Sequence, residues 1–162
     1  MSLNVKNKIR LGTLFLFLLL LIVGGAGIHY IILLKNDSNA NIRDNYESIE
    51  YGHAIQKGLD SLNTDRNTYL KKIDQALRAQ EKNITEPGEL AATFQVRQDF
   101  SKIQNGHASK ETIDDLKARV QDILLLNMKA IQVKNRRAQQ TAEKALTVIT
   151  VLCAIVFIVA FT

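Results

Sequence analysis

Four arginines, Arg66, Arg78, Arg97 and Arg119, stand at intervals along the charged middle of this 162-residue chain. A guanidinium holds carboxylate or phosphate through paired hydrogen bonds, so these side chains suit an anionic ligand. On the helices derived below, Arg66 falls at a turn remote from the apolar ends of the chain and Arg119 at a matching height. An anion near Arg66 or Arg119 is therefore the ligand chemistry expected. The alternative is a solvated helix face, since Asp74 with Arg78 and Asp115 with Arg119 have the acid-first i,i+4 spacing of helix-stabilising pairs. Asn127 is a third candidate. It sits on an apolar seam, where a buried amide costs stability but can fix register or pairing and relay a shift; a plain polar core contact is the equal alternative. Catalytic patterns are missing: there is no nucleophile elbow, no phosphate-cradling glycine loop and no His-x-x-x-His. His53 and His107 are isolated, and structural or solvated roles are expected for both. No enzyme activity, catalytic residue, cofactor or metal site is expected of this chain. Asn83-Ile84-Thr85 spells a glycosylation sequon, a pattern common by chance.

The elements that carry these residues are bounded by two uncharged runs, Leu11 to Leu34 and Ala145 to Thr162. A bilayer core about 30 Å thick is crossed by roughly 20 apolar residues of helix. Each run is read as a membrane span. The first outlasts the apolar core of a signal peptide and continues past Gly24-Gly25-Ala26-Gly27, which favours an uncleaved span. Tyr30 then belongs at the outer interface. Lys6, Lys8 and Arg10 precede this run, and basic residues at a first span favour the cytoplasmic side. The layout is a cytoplasmic tail (1–10), a span (11–34), an extracytoplasmic domain (35–144) and a second span (145–162). A bacterial inner membrane is the expected location, with the bilayer itself as a partner. The tail takes three of the net +5 charges, leaving the middle segment near neutral with acids and bases interleaved. That pattern argues against nucleic acid. The single cysteine, Cys153, excludes an intrachain disulfide. The second run reaches Thr162 with no basic anchor after it, so a cytoplasmic remainder is expected beyond it.

Between the spans the spacing is helical. Ile42, Tyr46, Ile49, Ile55, Leu59 and Leu62 form one stripe; Tyr69, Ile73, Leu77 and Ile84 a second; Leu90, Phe94, Phe100 and Ile103 a third. Ile113, Leu116, Val120, Ile123, Asn127 and Ala130 alternate steps of three and four, a heptad seam. Asn63-Thr64-Asp65 offers cap residues, Pro87 suits a first helical turn, and Ser109 or Thr112 suits the start of the fourth helix. Four such helices joined by short turns predict an all-α fold, an antiparallel up-down four-helix bundle between two transmembrane helices. The first helix is expected to continue from the first span. The fourth has no Pro or Gly after Gly106 and should run on into the second, with on the order of 50 Å outside the membrane. Lys134, Arg136 and Arg137 are expected to be solvated or to touch headgroups.

Three segments sharpen a resemblance. Asp44-Asn45-Tyr46-Glu47-Ser48-Ile49-Glu50-Tyr51, Glu81-Lys82-Asn83-Ile84-Thr85-Glu86-Pro87-Gly88-Glu89, and Asn127-Met128-Lys129-Ala130-Ile131 with Lys134-Asn135 look like the sensor regions of bacterial transmembrane sensor histidine kinases. The likeness is to the Bacteroidetes-type and KinB-like group, and the layout also resembles chemoreceptor sensor modules. The resemblance implies a membrane receptor that forms a homodimer, senses a small ligand or an envelope protein, and passes the signal to a cytoplasmic kinase. The chain contains no phosphoacceptor segment or ATP-binding domain. A chemotaxis receptor and a non-signalling membrane scaffold are the alternative readings.

Overall fold

The computed structural model describes residues 5–38 and 40–160, with the backbone alone for 5, 8, 36–38, 40 and 41. Its regular structure is helical throughout: α1 (Val5–Ser38), α2 (Ala40–Asp60), α3 (Arg66–Lys82), α4 (Glu89–Gln104) and α5 (Lys110–Ala160). No strand occurs among the described residues, and the expected all-α class holds. The chain divides into two compact units, Met1–Ser38 with Asn135–Thr162, and Asn39–Lys134. The expected continuity of the first span into the next helix turns on Asn39, which lies outside the described residues. The fourth helix does run on: α5 is unbroken for 51 residues.

The unit formed by 1–38 and 135–162 contains two stretches long and apolar enough to cross a membrane, Ile9–Lys35 in α1 and the C-terminal part of α5. None of either apolar window is buried, whereas the core helix of a soluble protein hides such residues. Leu14, Phe17, Leu21, Phe157 and Ile158 are all more than half exposed. Gly27, Ile31, Ala145 and Ile149 line one apolar groove shared by the two helices.

In the unit 39–134, α2, α3, α4 and the first turns of α5 share one apolar core. Ile55 and Leu59 meet Ile73, Leu77, Val96, Phe100, Ile103, Leu116, Val120 and Ile123 there. Each such side chain contributes about 1.5–3 kcal/mol on leaving water. The helix ends are set locally. Asp65 Oδ1 accepts the Thr68 amide at 3.1 Å and caps α3; the Thr68 hydroxyl first, and then this amide, hold its carboxyl below the usual range. Ser109 Oγ accepts the Thr112 amide at 3.1 Å, which makes Ser109 the cap of α5. Gly106, at φ 94°, closes α4 in the left-handed region that glycine tolerates. Pro87 does not begin α4 as expected. Gly88, at φ 88°, stands between it and the first helical residue, Glu89.

Three apolar residues expected inside are outside. Tyr46 is 54% exposed, Leu90 66% and Phe94 61%. The buried positions are Asn45 and Ser48 on α2, and Glu89 and Thr93 on α4. The true stripe on α2 and the turn after it is Asn45, Ser48, Gly52, Ile55, Leu59 and Leu62, whose steps of three and four cross from polar to apolar residues. Ile131 rather than Ala130 ends the buried seam of α5.

Two glycines let α2 approach its neighbours closely. A Cβ at Gly52 would stand 2.6 Å from Leu124 Cδ2, and one at Gly58 2.5 Å from Ile73 Cγ1. Ile73 is fully buried and β-branched, so it has little room to turn aside. Gly58→Ala should therefore destabilise the chain by about 1–3 kcal/mol, although alanine is the better helix former by about 1 kcal/mol. Gly25→Ala in α1, where nothing lies within 4 Å of the added carbon, serves as the control and should leave thermal unfolding in detergent unchanged.

Candidate functional site

At the end of the 39–134 unit where α2 and α4 begin, the core is polar. Glu89 is fully buried at the start of α4. Its carboxylate accepts four bonds: Gln80 Nε2 at 2.8 Å and Asn127 Nδ2 at 2.7 Å on Oε1, and the amides of Thr85 and Glu86 at 2.9 and 3.0 Å on Oε2. One side chain thus ties α3, the turn before α4, and α5 together. Burial pushes its pKa upward as the largest single influence. The bonds from Asn127, the Thr85 and Glu86 amides and Gln80 outweigh that push, and the carboxyl lies below its ordinary 4.5.

Asn127 is the hub. It donates to Glu89 and to the Ile123 carbonyl at 3.0 Å, and its Oδ1 accepts from Asn45 Nδ2 at 3.0 Å. Asn45 also donates to Glu86 Oε1 at 3.0 Å, and its own oxygen accepts from Lys134 Nζ at 2.7 Å. Lys134 reaches Glu86 Oε1 at 2.5 Å as well. These two ends of the ion pair are only 18% and 16% exposed. The expectation that Lys134 is solvated is corrected here: Glu86 and Asn45 supply a charge and a carbonyl oxygen that draw it inward. Asn83 completes the cluster, with Nδ2 donating to the Asp44 carbonyl at 2.6 Å and to Ser48 Oγ at 3.1 Å. The amide of the sequon is thereby engaged inside the fold. Gln80 turns its nitrogen to Glu89, and its buried oxygen has no partner among the described residues. The orientation follows from charge, because the opposite flip would set a carbonyl against a carboxylate.

The two arginines expected to hold an anion are occupied by the protein. Arg66 Nη2 donates to the Ile103 carbonyl at 2.7 Å, closing the C-terminal end of α4. Arg119 Nε lies 2.6 Å from Asp99 Oδ2, and its Nη1 donates to Gln95 at 2.7 Å. The i,i+4 partner expected for it, Asp115, gives way to Asp99 because Asp99 is buried and requires a cation. Lys102 supplies a second one at 2.7 Å. Asp74 with Arg78 does form the expected pair at 2.7 Å. Arg97 joins it, reaching Asp74 at 2.6 Å and Glu81 at 2.6 Å across α3 and α4. The bond from Arg78, followed by that from Arg97, holds the Asp74 carboxyl below its usual range. Among the described residues no group of three or more His, Cys, Asp or Glu side chains is placed to hold a metal.

Of the three candidate site residues Arg66, Arg119 and Asn127, only Asn127 lies in the buried cluster. Glu89, Asn45, Glu86 and Lys134 were not legible as site residues. The signal for Asn45 was its place on the three–four spacing of α2, hidden because its neighbour Tyr46 is the apolar one. Glu89→Gln replaces an acceptor with an amide that faces its own donors. It should destabilise the fold by about 1.5–3 kcal/mol in chemical or thermal unfolding at neutral pH. Because the folded carboxyl lies below its ordinary 4.5, its contribution is present above that pH and is lost as pH falls through the folded value. Stability of the parent should decline on acidification below about 4.5, and the variant should show a shallower decline, the remainder arising from groups such as Asp74. No family model, curated protein or solved structure matches the chain, so the chemistry of these side chains alone assigns the cluster a role.

Proposed function

We propose that residues 39–134 form an antiparallel up-down four-helix bundle displayed outside the cytoplasmic membrane between two spans. In this reading the chain is the sensory module of a dimeric signal-transducing receptor of the sensor histidine kinase type, with its N-terminus inside the cell. The observation that carries the reading is α5. The helix that places Asn127 and Lys134 in the buried polar cluster continues without a break to Ala160, through the apolar stretch. A displacement of α5 against α2 and α4 is then a displacement of that stretch.

The polar cluster suits such a role on physical grounds. Apolar contacts tolerate small slides, whereas a hydrogen bond weakens steeply once its distance and angle degrade. A shift of about 1–2 Å, typical of signalling helices, would break Asn127 to Glu89 and Lys134 to Glu86 together and require a new set of partners. That gives two discrete arrangements in place of a continuum. A stimulus acts by binding one of them better than the other.

Two experiments test the proposal. Alkaline phosphatase fused after Gly106 should be active in a bacterial host, and a green fluorescent protein fused after Thr162 should fluoresce. The reverse pattern would overturn the topology. The relay is tested in a chimera that joins a sensor-kinase cytoplasmic half after Thr162. Gln56 and Gln121 bond across α2 and α5 at 3.2 Å. Gln56→Cys with Gln121→Cys, in a Cys153→Ser background, bridged by a short bifunctional thiol reagent, should fix α5 against α2. Kinase output should then lie at one constant level, while Asn127→Leu should shift unbridged output by about fivefold, a coupling of about 1 kcal/mol. Output indifferent to both changes would end the relay.

A further inference from the structure

The groove between α2 and α3 has features the proposed relay does not use. Tyr51, Ala54 and Gly58 from α2 and Tyr69, Ala76 and Ala79 from α3 surround a cavity of about 550 Å³. Small-molecule pockets run from roughly 300 to 1,000 Å³. Gly58 and Ala76 are buried and form the floor, and the small side chains of Ala54 and Ala79 leave the space between the helices open. The two phenol rings stand as walls. Gln75 adds an amide.

The rim is basic. Lys57 on α2 and Lys72 on α3 line the same cavity, and neither takes part in an ion pair among the described residues. Lys72 Nζ stands 5.0 Å from the centroid of the Tyr69 ring, at the mouth of the groove. The groove continues past Tyr51, Gln75 and Ala79 to Arg78 and Lys82. Of the acids near the groove, Glu47 is engaged by Arg43 and Tyr51 and Asp65 by the amide that it caps, while Glu50 stands close enough to Tyr51 to act on its hydroxyl. Two ammonium groups beside two phenol rings and small side chains suit an occupant that carries negative charge and a flat apolar body.

We infer that the α2–α3 groove binds a small organic carboxylate with a flat apolar body, held by Lys57 and Lys72 and packed between Tyr51 and Tyr69. As the stimulus it rests on the sensory reading. Binding is measured without signalling, however, so failure of either leaves the other standing.

The chain has four tyrosines and no tryptophan, so 3-fluorotyrosine labelling gives four ¹⁹F signals from Tyr30, Tyr46, Tyr51 and Tyr69. Each is assigned by its Tyr→Phe variant. The probe is benzoate, titrated into the full chain in detergent, with benzyl alcohol and inorganic phosphate as parallel arms. Benzoate should shift the Tyr51 and Tyr69 signals saturably and leave Tyr30 and Tyr46 in place. Lys57→Gln with Lys72→Gln, both on exposed side chains, should weaken the response at least about tenfold without changing the melting temperature. Four signals moving together would mean partition into the micelle and would overturn the site. Equal responses to benzyl alcohol or to phosphate would overturn the requirement for both charge and apolar body. No saturable shift at millimolar benzoate, or one unaltered in the double variant, would end the proposal.

Discussion

A carboxylate closed off from water must find its donors in the protein, and Glu89 finds four. An isolated buried charge costs far more than any single helix contact returns, so Glu89 is tolerable only while Gln80, Asn127 and the Thr85–Glu86 turn hold their places. The constraint propagates. Asn127 must face inward at one height of α5, which fixes the register of that helix. Asn45 must meet the oxygen of Asn127, which fixes α2. Lys134 then falls beside Glu86 and Asn45. The positive φ of Gly88 belongs to the same arrangement, because it turns the chain back so that the Glu89 carboxylate can accept the amides just before it.

The other end of the same unit is held differently. Phe100, Ile103, Leu116 and Ile73 are fully buried, and the polar contacts there close helix ends or neutralise one acid. Burial of apolar surface is non-directional, so that end contributes free energy without strongly preferring one axial position. Helices sharing an apolar end and a hydrogen-bonded end are stable because of the first and specified by the second. Gly52 and Gly58 sharpen the effect by bringing α2 close enough to α5 and α3 for the Asn45 amide to span the gap.

How much of this the sequence disclosed depends on what kind of force acted. The apolar runs, the capped starts at Asp65 and Ser109 and the seam of α5 were all legible, because spacing and cap chemistry act within a few residues. The all-helical class followed from them. The inward face of α2 and α4 was misread where polar residues occupy it. Tyr46, Leu90 and Phe94 were expected inside by their chemistry, but Asn45, Glu89 and Thr93 took the inner positions. A periodicity search that counts only apolar residues cannot see a stripe whose lower half is amide, hydroxyl and carboxylate. The partners of Arg66, Arg119 and Lys134 were illegible for another reason. Each is chosen by a group 37 to 48 residues away or on another helix, such as the Ile103 carbonyl or Glu86, and no local spacing encodes such a choice. Asn127 was found because it interrupts an otherwise apolar seam.

The same division of labour would let the proposed relay and the inferred ligand groove share so small a unit. The groove lies along α2 and α3, which meet through Gly58, Ile73 and the alanine floor. The polar cluster is reached from α2 through Asn45 and from α3 through Gln80, with Glu89 and Asn127 between them. Spreading or drawing together α2 and α3 changes the separation of Asn45 and Gln80 before it disturbs the apolar core, since hydrogen bonds are the steeper function of distance. Glu89 cannot follow both. Any such movement must be answered by Asn127, and Asn127 is fixed to a helix that continues unbroken to Ala160. In the proposed relay, a buried charge that tolerates no loss of donors is thus what would make a small change between two short helices felt by the long one.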